Sequence, residues 1–228
     1  MKKSDLIFIS IFLLIISIFI IPFTREGFES LTESFPYLMG FLKTSILASM
    51  GEMLANRISS GKYLSRKGIL PRFFIWGILG MGFVLMFKVF ASGVTEAMNS
   101  NLLPNVSGTG FISNLYRAFL ISLILNIIFA PTFMILHRIT DTFIDLKIKK
   151  KAKISVNEII DNIEWKPFFG FVIFKTIPLF WIPAHTITFM LPENYRVLMA
   201  GFLSIALGLI LTLSKIKSKK GESNEILS

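Results

Sequence analysis

Three ionisable side chains stand where the surrounding sequence is apolar. Lys175 and His185 fall within the stretch Pro167 to Leu191, and Glu52 lies near the end of Pro36 to Ala55. A charge at the depth of Lys175, about eight residues or roughly 12 Å from the end of its helix, is costly unless it meets water or a partner. Such groups line paths for ions, relay protons or pair with one another. Helical phase gathers polar company around them: Ser45, Ser49, Glu52 and Asn56 form one stripe, and Ser122, Asn126, Ala130, Phe133 and His137 form another. A third face carries Lys175, Pro178, Trp181, His185 and Thr188 within about a third of a turn, at the 100° per residue of an α-helix. The residues expected to line a common interior are Ser45, Ser49, Glu52, Asn126, Lys175 and His185. Two readings stand for Lys175 and His185, structural pairing or lining of a pathway. Lys43 and Lys88 lie near a boundary and read as snorkelling side chains, and Glu52 has Arg57, Arg72 and Arg138 as candidate partners.

The elements that position these residues are six apolar stretches, Leu6 to Phe23, Pro36 to Ala55, Phe73 to Phe90, Phe111 to Leu136, Pro167 to Leu191 and Val197 to Leu213. Most approach the roughly 20 residues that cross a bilayer as a helix. The loops between them alternate in charge. Lys2-Lys3, the segment from Arg57 to Arg72, Lys147 to Lys153 and the tail with Lys215, Lys217, Lys219 and Lys220 are basic. The intervening loops are acidic or neutral. Basic loops stay in the cytoplasm, so the expected fold is an all-α, polytopic membrane helical bundle of six transmembrane helices with both termini cytoplasmic.

Composition agrees: 53% of the 228 residues are hydrophobic and mean hydropathy is +0.68. The net charge of +10 is confined to loops and tails, where it sets orientation and meets anionic lipid headgroups, so no nucleic-acid partner is expected. The absence of cysteine excludes disulfides and thiolate chemistry. No metal-ligand spacing, phosphate loop, serine elbow or paired acidic motif appears. Neither a cofactor nor an enzymatic activity is expected; Glu52 with His137 is the best pair an enzyme could use.

Residues 1–24 read as an uncleaved anchor helix peripheral to a five-helix bundle over 36–214, because only Ser10 and Ser17 interrupt the first stretch. Val156, Ile159, Ile160 and Ile163 fall at helical spacing and predict a short interfacial helix near 155–165, anchored by Trp165. Residues 215–228 read as a basic disordered tail. The stripe Gly201, Ser204, Gly208 and Thr212 permits close packing within one chain or in a homo-oligomer. The richness in Ile, Lys and Phe points to a prokaryotic plasma membrane, or an organelle membrane if the source is eukaryotic.

One resemblance spans Pro36 to Leu213. Trp181, His185, Thr188-Phe189, Pro192 and Tyr195-Arg196 are similar to the carboxy-terminal signature of the Mpv-seventeen and PMP-twenty-two membrane proteins of mitochondrial inner and peroxisomal membranes. Phe129-Ala130-Pro131 matches that family's Phe-Ala-Pro, Gly51-Glu52 with Asn56 resembles its Gly-Asp and Gln, and Gly77 and Gly82 resemble its paired glycines. The chain departs in having Leu125-Asn126 where the family has Asp-Gln, Phe83 for a Pro, and an extra leading helix. The resemblance implies a divergent relative of proteins described as pores for small solutes, without enzymatic activity. Three functions therefore compete: a channel for small ions or metabolites with a proton-sensitive gate at His185, a non-conducting assembly or lipid-handling protein, and a membrane-embedded enzyme.

Overall fold

The computed structural model describes residues 2–64, 67–106 and 108–225, with the backbone alone at 211 and 214–225. Helices account for 86% of the chain, and no strand occurs among the described residues. The elements are α1 (Lys3–Ile20), α2 (Pro22–Ser34), α3 (Pro36–Ser60), α4 (Ile69–Asn99), α5 (Phe111–Lys150), α6 (Val156–Asp161), α7 (Trp165–Pro167), a π-helix (Phe168–Trp181), α8 (Ile182–Met190) and α9 (Glu193–Glu225). Five helical segments are long and apolar enough to cross a membrane: Lys3–Ile20, Ile69–Asn99, Phe111–Lys150, Trp165–Met190 and Glu193–Ile210. The second apolar stretch, which forms α3, does not qualify, because Lys43, Thr44, Ser45, Ser49, Glu52, Asn56 and Arg57 dilute its apolar residues.

Its place in the fold explains that composition. Helix α3 packs on α4 and on α9; α4 continues to α5, α5 to α8, and α8 back to α9, closing a ring of five elements. Being covered on two sides, α3 can carry hydroxyls where a lipid-facing helix would carry leucine. Nine of its residues are buried, among them Lys43, Ser45 and Ser49. Glycine allows the closest approach: a Cβ on Gly80 would stand 2.4 Å from the Gly40 carbonyl oxygen and the Thr44 hydroxyl. On the other side, a Cβ on Gly201 would meet Leu47 at 2.7 Å and one on Gly51 would meet Ile205 at 3.2 Å. The small-residue stripe of α9 thus packs at Gly201 within the chain itself.

By contrast α1 buries no residue. It lies against the outside of α3, α9 and α2 through Phe8, Phe12, Ile15, Ile18 and Phe19. One end is tied by a two-pronged ion pair in which Arg57 Nε and Nη2 donate to the Asp5 carboxylate at 2.7 and 2.8 Å.

Several elements run further than the hydrophobic stretches imply. Helix α4 continues past Phe90 to Asn99, and α5 continues through Pro131 and past Leu136 to Lys150. The extension of α5 brings Asp141 and Asp145 to Arg72, whose Nε and Nη2 donate to them at 2.6 and 2.5 Å, while Nη1 donates to the Lys67 carbonyl at 2.7 Å. Arg72, expected in a basic loop, is 2% exposed. Helix α6 is capped by Ser155, whose hydroxyl accepts from Glu158 N at 3.2 Å, a hydrogen bond that a Ser at this position makes well. Where a disordered tail was expected, helical backbone continues through Glu225, as helix-forming Lys and Glu permit; residues 226–228 lie outside the described residues.

Candidate functional site

Two cavities lie along α3, the first beside α2, and another, of about 490 Å3, lies between α4, α5, α8 and the start of α9, where Phe189, Leu191 and Arg196 line it. The first, of about 490 Å3, is lined by Lys43 of α3, by Val84, Phe87 and Lys88 of α4, by Glu193, Asn194, Arg196 and Val197 of α9, and by Thr32, Glu33 and Pro36. The second, of about 350 Å3, is lined by Ala48, Gly51, Glu52 and Ala55 of α3, Trp76 of α4, Ser204, Leu207 and Gly208 of α9, Phe133, Met134, His137, Arg138 and Asp141 of α5, and Phe168, Val172 and Trp181. The two share no lining residue, yet the same three helices, α3, α4 and α9, serve both. At about 1.5 Å of rise per residue, Lys43 to Ala48, Trp76 to Val84 and Val197 to Ser204 set the septum between them at roughly 7–12 Å.

Polar groups concentrate in that septum. His185, 4% exposed, has its ring centroid 5.5 Å from that of Phe87, a wall of the first cavity, and 5.1 Å from that of Trp181, a wall of the second. Its Nδ1 lies 3.1 Å from Asn126 Oδ1. Asn126 Nδ2 donates to the Ser122 carbonyl at 2.8 Å, and the Ser122 hydroxyl donates to the Ile182 carbonyl at 2.7 Å. With the Asn126 amide nitrogen so engaged, Oδ1 is the acceptor and His185 Nδ1 the donor; Nε2 is left as an acceptor without a protein partner. The hydroxyls of Thr44, Ser45 and Ser49 and the indole N–H of Trp181 likewise have no protein partner. A buried polar atom in this state costs about 1–3 kcal/mol.

Of the residues expected to line one interior, Ser45, Ser49, Asn126 and His185 are buried in the bundle and Glu52 faces the second cavity. Glu52 accepts from Trp76 Nε1 at 2.8 Å, while Arg57 and Arg72, two of its expected partners, bind Asp5 and the pair Asp141 and Asp145. Lys175 is not among them: it is exposed on the outside of the bundle, beside the exposed Phe171, Phe174 and Leu179. The reason is the π-helix. Ile182 N donates to Ile177 O, five residues back, and this wider turn advances each residue by less than the 100° assumed for an α-helix. Over seven or more residues the accumulated lag rotates Lys175 away from His185, and Ile173, Thr176 and Ile177 face inward instead.

The second cavity also joins the best enzyme pair. The Trp76 ring lies 4.3 Å from that of His137 while its N–H serves Glu52, so Trp76 bridges them. Among the described residues no group of three or more His, Asp or Glu could hold a metal.

The other motif residues spread over the ring. Phe189 is buried 5.2 Å from Phe87, ring to ring, and Phe129 meets Phe83 edge-to-face and Phe133 at a tilt. Ala130 packs with Phe168, Ile173 and Ile177. Gly77 lies against Phe41, where a Cβ would meet the ring at 2.3 Å, whereas Gly82 has open space. Asn56 keeps a buried Nδ2 without a protein partner. Tyr195 donates its hydroxyl to Glu29, and Arg196 Nε donates to the Leu191 carbonyl, before Pro192, at 3.2 Å.

Sequence reasoning missed α2, read as an acidic loop. Pro22 at its first turn and Phe28, Leu31 and Phe35 at three- and four-residue spacing are the signal that could have found it. Through α2 it also missed the surroundings of Lys43, which is 7% exposed rather than snorkelling to a boundary. No protein-family model matches the chain, and no curated protein or solved structure is significantly similar to it.

Proposed function

We propose that the protein is an integral membrane protein with six spans, α3 being the sixth, that forms a gated pathway for small solutes through the ring of α3, α4, α5, α8 and α9. The observation that carries this reading is the position of His185, between Phe87 of the first cavity and Trp181 of the second. A septum only roughly 7–12 Å thick, built with hydroxyls and an imidazole nitrogen that lack protein partners, is less stable when closed than an apolar septum would be. Opening it to water satisfies those atoms and lowers the cost of the open state. Alternation of basic loops supports placing both termini and the second cavity on the cytoplasmic side, and the likeness to the Mpv-seventeen and PMP-twenty-two proteins points in the same direction. His185 is the gate residue of this reading because its ring stands between a wall of the first cavity and a wall of the second.

The test is single-channel current from the purified protein in a planar bilayer under asymmetric salt, across pH 5 to 8. Discrete openings are expected, with their frequency altered by His185→Phe and unaltered by Lys175→Gln. Silence from folded, inserted protein would overturn the reading. The close packing of α3 on α4 at Gly80 would then favour a non-conducting assembly or lipid-handling role.

A further inference from the structure

The first cavity is lined by one more cation than carboxylates. Three cations and two carboxylates line it, and both carboxylates are engaged: Glu193 takes the Lys88 ammonium at 2.8 Å, and Glu33 accepts from Asn194 Nδ2 at 2.8 Å. Lys43, deep in the protein, donates to the Thr32 hydroxyl at 2.9 Å and the Asn194 carbonyl at 3.2 Å, and its Nζ stands 4.3 Å from the centroid of the Phe28 ring. All three are neutral partners, and no carboxylate lies within ion-pair distance of it among the described residues. Arg196 is only half-buried, and it too has no carboxylate within ion-pair distance among the described residues, Glu193 acting on it from farther away. Its Nε donates to the Leu191 carbonyl, its guanidinium carbon lies 5.4 Å from the Phe189 ring centroid, and among the described residues its terminal nitrogens meet no acceptor. Buried charges are ordinarily paired. Here α3 brings a buried cation without a carboxylate partner, and the start of α9 brings a half-buried one that also lines a neighbouring cavity with Phe189 and Leu191, to one concave space whose volume falls in the range of small-molecule sites.

We infer that this cavity binds a small oxyanion, a carboxylate or phosphate group held by the Lys43 ammonium and the Arg196 guanidinium. The guanidinium fork matches two oxygens of such a group, and the ammonium supplies a point charge. The Thr32 and Asn194 contacts tie Lys43 to α2 and α9, so the ammonium is positioned before the anion arrives. The inference deepens the pathway reading and rests on it only for the later passage of the anion toward His185. The binding step stands by itself.

Equilibrium dialysis of labelled inorganic phosphate against the full-length protein in phosphatidylcholine nanodiscs tests the site directly. One saturable site per chain is expected, weakened roughly tenfold or more by Lys43→Gln and by Arg196→Gln, and unchanged by Lys166→Gln, which removes an exposed positive charge elsewhere. If Lys43→Gln does not fold, Arg196→Gln and the phosphate-dependent rise in thermal stability of the unaltered protein carry the test. Repeating the titration in discs containing phosphatidylglycerol separates the sources of the anion: unchanged phosphate binding identifies a free solute, and competition by the lipid identifies a headgroup. No saturable binding in phosphatidylcholine discs, or binding indifferent to both substitutions, would overturn the inference. Phosphate binding without bilayer currents would retain the site and remove the pathway, whereas currents without phosphate binding would do the reverse.

Discussion

Helices α1 and α3 invert the usual relation between hydropathy and position. Helix α1, with a mean hydropathy of 2.3 over its span, buries nothing and lines neither cavity within the ring, whereas α3 fails the same hydropathy criterion yet lines both. In a bilayer, apolar side chains report contact with lipid, and lipid contact is greatest at the periphery. A helix enclosed by neighbours exchanges lipid contacts for hydrogen bonds and small-residue packing. The most peripheral helix can therefore be almost wholly apolar, while a long helix that falls short of the span criterion organises the site.

The comparison can be broken most severely at the α3–α4 contact. Gly80→Leu would drive a side chain into the Gly40 carbonyl and Thr44, and loss of the assembled protein in size-exclusion chromatography is the expected outcome; survival as a monodisperse species would show that α3 is not clamped. Next in size is Leu47→Ala, at a side chain 1% exposed, with an expected destabilisation of about 2–5 kcal/mol in chemical unfolding. Trp76→Phe removes the N–H that Glu52 accepts; a loss of about 1.5–3 kcal/mol is expected for a hydrogen bond to a charged group, measured by the same unfolding. Leu14→Ala on α1, at a side chain 67% exposed, is expected to change stability by under about 0.5 kcal/mol in that assay. Equal effects at Leu47 and Leu14 would abolish the distinction between the helices. The smallest effect belongs to Asp5→Asn. It weakens the tie to Arg57 and should speed amide exchange in the first turns of α1, with no change in the protection of α3.

Part of this arrangement is legible in the order of residues alone. The spacing of Ser45, Ser49, Glu52 and Asn56 marks α3 as a helix with a polar face, and Ser122, Asn126 and His185 end up buried together because α5 and α8 keep α-helical phase. The same reasoning fails at Lys175 for want of one local fact: the intervening segment is a π-helix, and phase carried across it at the wrong angle places an exposed lysine inside. It also fails at Lys43. The partners that hold it, Thr32 and Asn194, lie 11 and 151 residues away in sequence, and no periodicity within α3 encodes them.

Composition, stretch length and charge alternation by themselves determine an all-helical chain with several segments suited to a membrane, because those properties are sums over local residues and need no knowledge of neighbours. Which helices adjoin, where the septum falls between two cavities, and the placing of Lys43 and Arg196 in the lining of one cavity were decided only by the tertiary structure. Those facts depend on how rigid helices pack side by side, and a one-dimensional pattern records which face of a helix is sheltered without recording what shelters it.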